Sequence, residues 1–381
     1  MNNIKMVDLK GQYFKIKNEI DASVINIIES TNFINGPAVK QFTDSLETYL
    51  DVKHVIPCAN GTDALQIALM SLSLSPGDEV ICPSFTYVAT AEVISLLGLI
   101  PVMADVDLDT FNITAELIKP HITNKTKAIV PVHLYGQSSD MQDILDLANK
   151  FDLFVIEDNA QSIGAKYTFN DGTVKSTGTI GHIGTTSFFP SKNLGCYGDG
   201  GAIFTNDDKI ANNIRMIANH GQEKKYHHKL IGCNSRLDSI QAAILNVKIK
   251  YLDKYSESRN IMAKNYDTGF SDIPELSIPK RQFNSSHVFH QYTLKIDPEL
   301  RLKLINFLKV NNIPVMIYYP IPLYKQDAFS KYVPSDFYLK NTEKLCSCVF
   351  SLPIHTEYKN SSQDFIIKKV KDFFIKRKHE S

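Results

Sequence analysis

The sequence predicts an α/β protein, with a mostly parallel sheet flanked by helices and a smaller C-terminal α+β part. Three observations point there. Between Val52 and Thr205, short apolar runs alternate with helix-like stretches. Those runs are rich in Val and Ile and lack a clean polar alternation, as suits strands covered on both faces. Past Asn234 the texture changes to longer helical stretches and scattered prolines. Strand, helix and strand in succession imply right-handed crossovers and parallel pairing.

In chain order, Gln12–Ser30 reads as an N-terminal helix. Candidate strands are His54–Pro57, Glu79–Cys82, Ile100–Ala104, Ala128–Val132, Phe154–Ile156, Thr186–Phe188 and Ala202–Thr205. Helices are expected between them at Asp63–Leu72, Tyr87–Leu97 and Met141–Phe151. Leu237–Arg259 reads as one long helix with Ile240, Ala243, Ile244, Val247 and Leu252 on its apolar positions. An alternating segment, Val288–Ile296, and a helix, Glu299–Asn311, follow. The expected division is residues 1–30 packing with a small domain, 31–250 as a large domain, and 251–381 as the small domain, hinged near 245–255.

A chain of 381 residues buries roughly 75% of its unfolded surface, which is ample for such a core. Hydrophobic residues at 43% and charged residues at 22% exclude a disordered or collagen-like chain. Lys plus Arg equals Asp plus Glu at 41 each, which argues against a nucleic-acid partner, since binding to the phosphate backbone needs a basic surplus. The longest apolar stretch, Val93–Ala104, is interrupted by Ser95 and Pro101 and is too short to span a bilayer. The first residues lack the apolar run of a signal peptide. Six scattered cysteines, with Cys346-Ser-Cys348 the only close pair, read as reduced structural thiols of a cytoplasmic protein rather than a zinc site.

Three segments can carry chemistry. Asn60-Gly61-Thr62-Asp63 lies between a strand and a helix, so its backbone N–H groups can cradle a phosphate. The alternative is that Thr62 or Asp63 merely caps the helix. Phe154–Gln161 is a buried strand delivering Glu157 and Asp158 at its carboxyl end, where ligands of open parallel sheets sit. A carboxylate there suits a cation such as the protonated ring nitrogen of pyridoxal phosphate (PLP), or caps the next helix. Thr186–Gly201 places Lys192 after an apolar strand and before a glycine-rich turn, with Ser187 five residues earlier. Desolvation at such a place lowers a lysine pKa and frees its amine for Schiff-base chemistry.

Together these segments resemble the DegT/DnrJ/EryC1/StrS sugar-nucleotide aminotransferases, a family of fold-type I PLP enzymes. The resemblance runs from Val7-Asp8-Leu9 to Ser351–His355. It rests on Ala59–Leu65, Pro83–Thr90, Glu157–Ser162 and Ser187–Gly201. It implies that Lys192 holds PLP as a Schiff base, that Asp158 pairs with the pyridinium nitrogen and that Gln161 bonds the phenolic oxygen. It also implies that Tyr87 stacks on the ring and that Gly61, Thr62 and Ser187 bind the phosphate. Asn234 would reach that phosphate from the neighbouring subunit of a homodimer with shared active sites, and Arg236 would approach the sugar nucleotide across the same interface. His133 at a strand end either lines the pocket or is a satisfied structural residue. The basic run His220–Lys229 reads as a solvated loop, although it lies beside the partner's site in relatives.

The implied reaction moves the amino group of glutamate to a nucleotide-linked keto sugar. The sugar dehydratases of the same family carry His in place of the lysine, so Lys192 argues against that activity. No glycine fingerprint follows the first strand, which argues against an NAD-dependent oxidoreductase. The segments His220–His228 and Tyr319–Gln326 resemble C3 aminotransferases, most of all those acting on UDP-2-acetamido-2-deoxy-3-oxo-glucuronate for bacterial surface polysaccharide. Those relatives often have His-Tyr-Pro where this chain has Tyr318-Tyr319-Pro320. Tyr318 and Tyr319 are thus expected at the substrate, and a neutral dTDP-3-oxo-6-deoxyhexose, or amination at C4, is the alternative.

Overall fold

The computed structural model describes residues 4–380. Its central layer is a seven-stranded sheet: β1 (His54–Cys58), β2 (Glu79–Pro83), β3 (Ile100–Ala104), β4 (Thr126–Ile129), β5 (Phe154–Asp158), β6 (Ile183–Ser187) and β7 (Gly201–Thr205). The order across it is β1-β7-β6-β5-β4-β2-β3. Neighbours pair in parallel from β6 through to β3, while β7 runs antiparallel to β6 and β1. Every parallel strand therefore ends on one edge, and β7 begins there. Cys58 and Ser187 both pair with Gly201 at that edge.

The local rules behind these elements are simple. Val80, Ile81, Cys82, Val155 and Ile156 are fully buried, as strands covered on two faces require. The helix Met141–Phe151 buries Met141, Ile144, Leu147 and Ala148, a one-sided 3.6-residue stripe. The helix Asp208–Ala218 starts where the Asp207 carboxylate accepts the N–H groups of Lys209 and Ile210, the standard N-cap arrangement.

Two elements match the sequence expectation residue for residue, Ile100–Ala104 and Met141–Phe151; others shift. The strand expected at Ala128–Val132 is Thr126–Ile129, and Val132 makes only a bridge to Asp158. The strand expected at Thr186–Phe188 is Ile183–Ser187, because the small residues Gly184, Thr185 and Thr186 pair with β7. The helix expected at Asp63–Leu72 is Gly61–Ser71, started by Asn60. The helix expected at Tyr87–Leu97 spans only Ala89–Leu96.

Leu237–Arg259 is not one helix. Ser239–Lys248 passes through a tight turn at Ile249–Tyr251 into Leu252–Phe270. The N-terminal stretch is likewise two helices, Leu9–Lys15 and Lys17–Ser30, broken at Ile16. The first contacts the C-terminal part, where Gln12 meets Thr356 and Lys15 meets Glu357. The second lays Ile20 beside Ile244 and Val247.

Beyond residue 270 a three-stranded antiparallel sheet joins Leu276–Ser277, Tyr292–Ile296 and Val349–Leu352. Helices Leu252–Phe270, Pro298–Val310 and Asn360–Glu380 contribute to its core around Tyr266, Phe289, Tyr292, Phe350 and Val370. The alternating segment Val288–Ile296 becomes a strand only from Tyr292. Residues before it dock on the turn after β4 instead, with the Val288 N–H on the Gly136 carbonyl at 2.8 Å. Gly136 holds φ +110°, and a Cβ there would lie 2.8 Å from the Phe289 nitrogen, so only glycine fits. Among the described residues no helix is long and apolar enough to cross a membrane.

Candidate active site

The carboxyl edge of the sheet collects the sequence-predicted groups. After β1, the Asn60 side chain accepts the Asp63 N–H at 2.8 Å and its carbonyl accepts the Ala64 N–H at 3.1 Å. Asn60 is therefore the cap, not Thr62 or Asp63. The Gly61 and Thr62 N–H groups precede the first intrahelical bond and point out of the helix end. Asp63 serves another purpose, accepting the Ser235 hydroxyl at 2.6 Å. A Cβ on Gly61 would sit 2.6 Å from the Ser187 Cβ, and one on Gly201 would sit 2.4 Å from the Asn60 carbonyl oxygen. Two glycines thus let a helix N-terminus, the Ser187 hydroxyl and the start of β7 share one small hollow.

Asp158 ends β5 and is nearly buried. Its Oδ2 accepts from the Thr90 hydroxyl at 2.9 Å and its Oδ1 from the Ala160 N–H at 3.1 Å. Its neighbour Glu157 is fully buried and turns the other way. It accepts the N–H groups of Gly178, Ile180 and Gly181 at 2.6–2.8 Å, and the His133 ring at 2.8 Å. His133 accepts the Ser139 N–H on Nδ1 at 3.0 Å, so its proton sits on Nε2 and goes to Glu157. With both nitrogens engaged and no exposed surface, His133 is the structural histidine of the two alternatives. It offers a substrate nothing.

Gln161 is held by the Tyr135 N–H on Oε1 at 2.8 Å and points Nε2 at the Tyr319 hydroxyl, 3.2 Å away. Tyr319 lies 6.4 Å from the exposed Tyr87 ring and 6.1 Å from Phe85. Tyr318 gives its carbonyl to the Tyr135 hydroxyl. Tyr87, Gln161, Tyr318 and Tyr319 thus form one aromatic, hydrogen-bonded flank.

Lys192 completes the group. Its turn is fixed by its own N–H on the Phe189 carbonyl at 2.8 Å and by the Asn193 amide on Val288 at 2.9 Å. Burial drives its amine down to about 8, against the opposing charge of Asp158. A lysine near neutrality is a usable nucleophile. Burial beside Lys192 and Arg259 holds His290 well below the usual imidazole range. Sequence reasoning missed Thr90, Tyr135, Asn193 and His290. Thr90 lay inside the quoted Pro83–Thr90 motif, whereas Tyr135 and His290 act through loop docking that no local pattern announces.

Asn234 and Arg236 flank the buried Ser235, whose hydroxyl also takes the Ala59 N–H at 3.0 Å. Asn234 is exposed, and Arg236 forms no ion pair among the described residues. The His220–Lys229 run is an exposed hairpin, Gln222–Lys224 with His227–His228.

These residues fit pyridoxal phosphate on observation. The hollow closed by Gly61 and Gly201 brings free helix N-terminal N–H groups and the Ser187 hydroxyl together, the donors a phosphate takes. Asp158 offers a nearly dry carboxylate for a protonated ring nitrogen, and Lys192 supplies a poised amine. When bound, that cofactor supplies an electron sink for a carbanion.

Comparison with known proteins agrees. The model of the DegT/DnrJ/EryC1/StrS aminotransferase family matches residues 14–371. A UDP-2-acetamido-2-deoxy-3-oxo-D-glucuronate aminotransferase of Pseudomonas aeruginosa is 45% identical over 92% of this chain and 95% of its own. A protein of Geobacillus stearothermophilus named pleiotropic regulatory protein is 43% identical over 98% of this chain and 99% of its own. Among solved structures, DesV of S. venezuelae superposes with a TM-score of 0.92 at 34% identity, covering 97% of this chain and 98% of that one. That likeness, with the sheet order, is the fold-type I architecture of PLP-dependent transferases. A match over almost the whole length, carried by motifs that meet on one sheet edge, leaves one assignment: the chain belongs to the DegT/DnrJ/EryC1/StrS aminotransferase family.

Proposed function

We propose that this chain is a PLP-dependent aminotransferase carrying the amino group of glutamate to C3 of a 3-oxo nucleotide sugar. The favoured acceptor is UDP-2-acetamido-2-deoxy-3-oxo-D-glucuronate, made in the cytoplasm for a bacterial surface polysaccharide. The observation that carries the reading is the meeting of Lys192, Asp158 and the Gly61–Ser187 hollow on one edge. Relatives named for 3-oxo sugar amination, acting on UDP- and dTDP-linked sugars, support the position on the ring.

The residues divide the work. Gly61, Thr62 and Ser187 bind the phosphate. Asp158 keeps the ring nitrogen protonated, and Gln161 orients the ring edge, with Tyr87 against its face. Lys192 holds the cofactor covalently. When it is not holding the cofactor, the Lys192 amine would take up and give back the proton at the substrate Cα, as general base and then acid. The keto sugar meets the same residues in reverse, so the kinetics are ping-pong.

Arg236 is the group suited to the uronate, since its planar fork grips a carboxylate bidentately. Losing such a contact costs about 1.5–3 kcal/mol, or roughly 10- to 150-fold. Arg236→Ala is thus expected to reduce kcat/KM for the uronate by that factor and for a neutral 3-oxo sugar much less. The check is steady-state assay of the native and Arg236→Ala enzymes on a panel of 3-oxo and 4-oxo nucleotide sugars with glutamate. Preference for dTDP-3-oxo-6-deoxyhexose would favour the second reading, which Tyr318 motivates by standing where uronate-acting relatives often have His. Amination at C4 would reject both.

The active sites are shared across a homodimer in this reading, with Asn234 and Arg236 serving the partner. Exposed Ile34, which bridges to Asp238, and exposed Leu230 and Ile231, next in sequence to that segment, support an interface there. Lys192→Ala chains, inactive, and Arg236→Ala chains, impaired on the uronate, mixed and allowed to exchange, should regain about a quarter of native activity on the uronate, because a random mixture gives half heterodimers with one intact site each. Verified heterodimers with no gain would show that each site is built from one chain.

A further inference from the structure

One buried cation has no part in the chemistry above. Lys248, the last residue of helix Ser239–Lys248, is 1% exposed. An ammonium so deep usually pairs with a carboxylate, and among the described residues it forms no ion pair. Its Nζ donates instead to the Gly195 carbonyl and lies 5.0 Å from the centre of the Tyr197 ring. Both partners belong to the turn that follows Lys192.

That turn is tied at several points. The Cys196 N–H and thiol both reach the Phe188 carbonyl, at 2.8 and 3.0 Å. Gln241, on the same helix as Lys248, accepts the Tyr197 N–H at 2.9 Å. A Cβ on Gly195 would lie 2.5 Å from the Pro190 carbonyl oxygen, so the chain folds back on itself within five residues of Pro190. The amide, carbonyl and ring of residues 195–197 are therefore held by one rigid helix, and Lys192 sits at the free end of the loop they anchor.

We propose that Lys248 is a positioning residue: through the Gly195 carbonyl and the Tyr197 ring it fixes the turn that presents the Lys192 amine to the cofactor. This rests on Lys192 being the Schiff-base lysine. The cation–π contact and the carbonyl bond are each strengthened by desolvation, and they repay the cost of keeping an unpaired ammonium in the core. Burial drives Lys248 down to about 8, so below that pH it adds a positive charge behind the turn. Asp158 and His290 are the titratable groups coupled to Lys192, and Cys196 is the one coupled to Lys248.

The test uses the PLP-loaded enzyme and Lys248→Met, which keeps the length and removes the donor and charge. A misplaced reactive group typically costs up to 100-fold, so kcat is expected to fall about 10- to 100-fold with KM for glutamate within about twofold. The pH midpoint of the cofactor's visible absorbance should also shift, since a turn set free changes how the Lys192 amine sits against Asp158, the charge it senses. If Lys248→Met does not fold, Gln241→Leu releases the same turn at Tyr197 and should move kcat and the midpoint in the same directions. A lower melting temperature with an unmoved midpoint, whether or not turnover falls, would overturn the proposal and leave Lys248 a packing residue. Absorbance that survives in Lys192→Ala would instead reject the reading on which the proposal rests.

Discussion

Lys192→Ala is expected to abolish the visible absorbance of covalently held PLP and to lower turnover by at least about 10⁴-fold, because it removes both the nucleophile and the proton carrier. The argument begins in the backbone. β6 ends at Ser187 and pairs with Gly201, so the segment between them must leave the sheet edge and return. Lys192 is the lysine of that excursion, facing Asp158 from a site dry enough to bring its amine down to about 8. An alanine there leaves the hollow at Gly61 and the carboxylate of Asp158 in place. The variant should therefore still bind PLP, reversibly and without the covalent link. Borohydride reduction followed by intact-mass measurement separates the two states: the native chain gains the cofactor mass and the variant does not. A variant that kept the adduct and the activity would place the nucleophile on another lysine.

Much of the site was legible because its chemistry is written in contiguous motifs. Ser187, Lys192 and the following glycines occupy one stretch, and Glu157 to Gln161 another. A strand of Phe-Val-Ile leading into two acids can be read from hydrophobicity alone. Less legible was everything set by contacts distant in sequence. β6 starts at Ile183 because Gly184, Thr185 and Thr186 pair with β7, and small polar residues carry no strand signal of their own. The break at Ile249–Tyr251 interrupts a helical pattern that has no proline or glycine to mark it. Val288 and Phe289 look like strand residues, yet they dock on Gly136, 152 positions from Val288 in the sequence for the hydrogen bond that decides it. His133 could be read either way until its second nitrogen was seen to accept from Ser139.

The remaining large effect concerns the carboxylate that faces away from the site. Glu157 is fully buried and answers four donors, three of them backbone N–H groups of the turn 178–181. That turn has no room to adjust, since a Cβ on Gly184 would lie 1.8 Å from the Gly178 carbonyl oxygen. Glu157→Gln replaces one acceptor oxygen with an NH₂, which must face two of the four donors. Leaving buried donors opposed in this way costs about 3–5 kcal/mol, comparable to breaking a buried ion pair. His133→Ala removes only one donor and exposes the Ser139 N–H, so its expected cost is smaller, about 1–3 kcal/mol. Urea denaturation of the holoenzyme at fixed protein concentration measures both, and the double variant reports their coupling. Because Asp158 follows Glu157 on the same strand, Glu157→Gln should also weaken PLP retention, whereas a surface substitution of equal cost should not. A loss below about 1 kcal/mol for Glu157→Gln would mean that the turn finds other acceptors, and that β5 is held in place by its neighbours in the sheet rather than by this carboxylate.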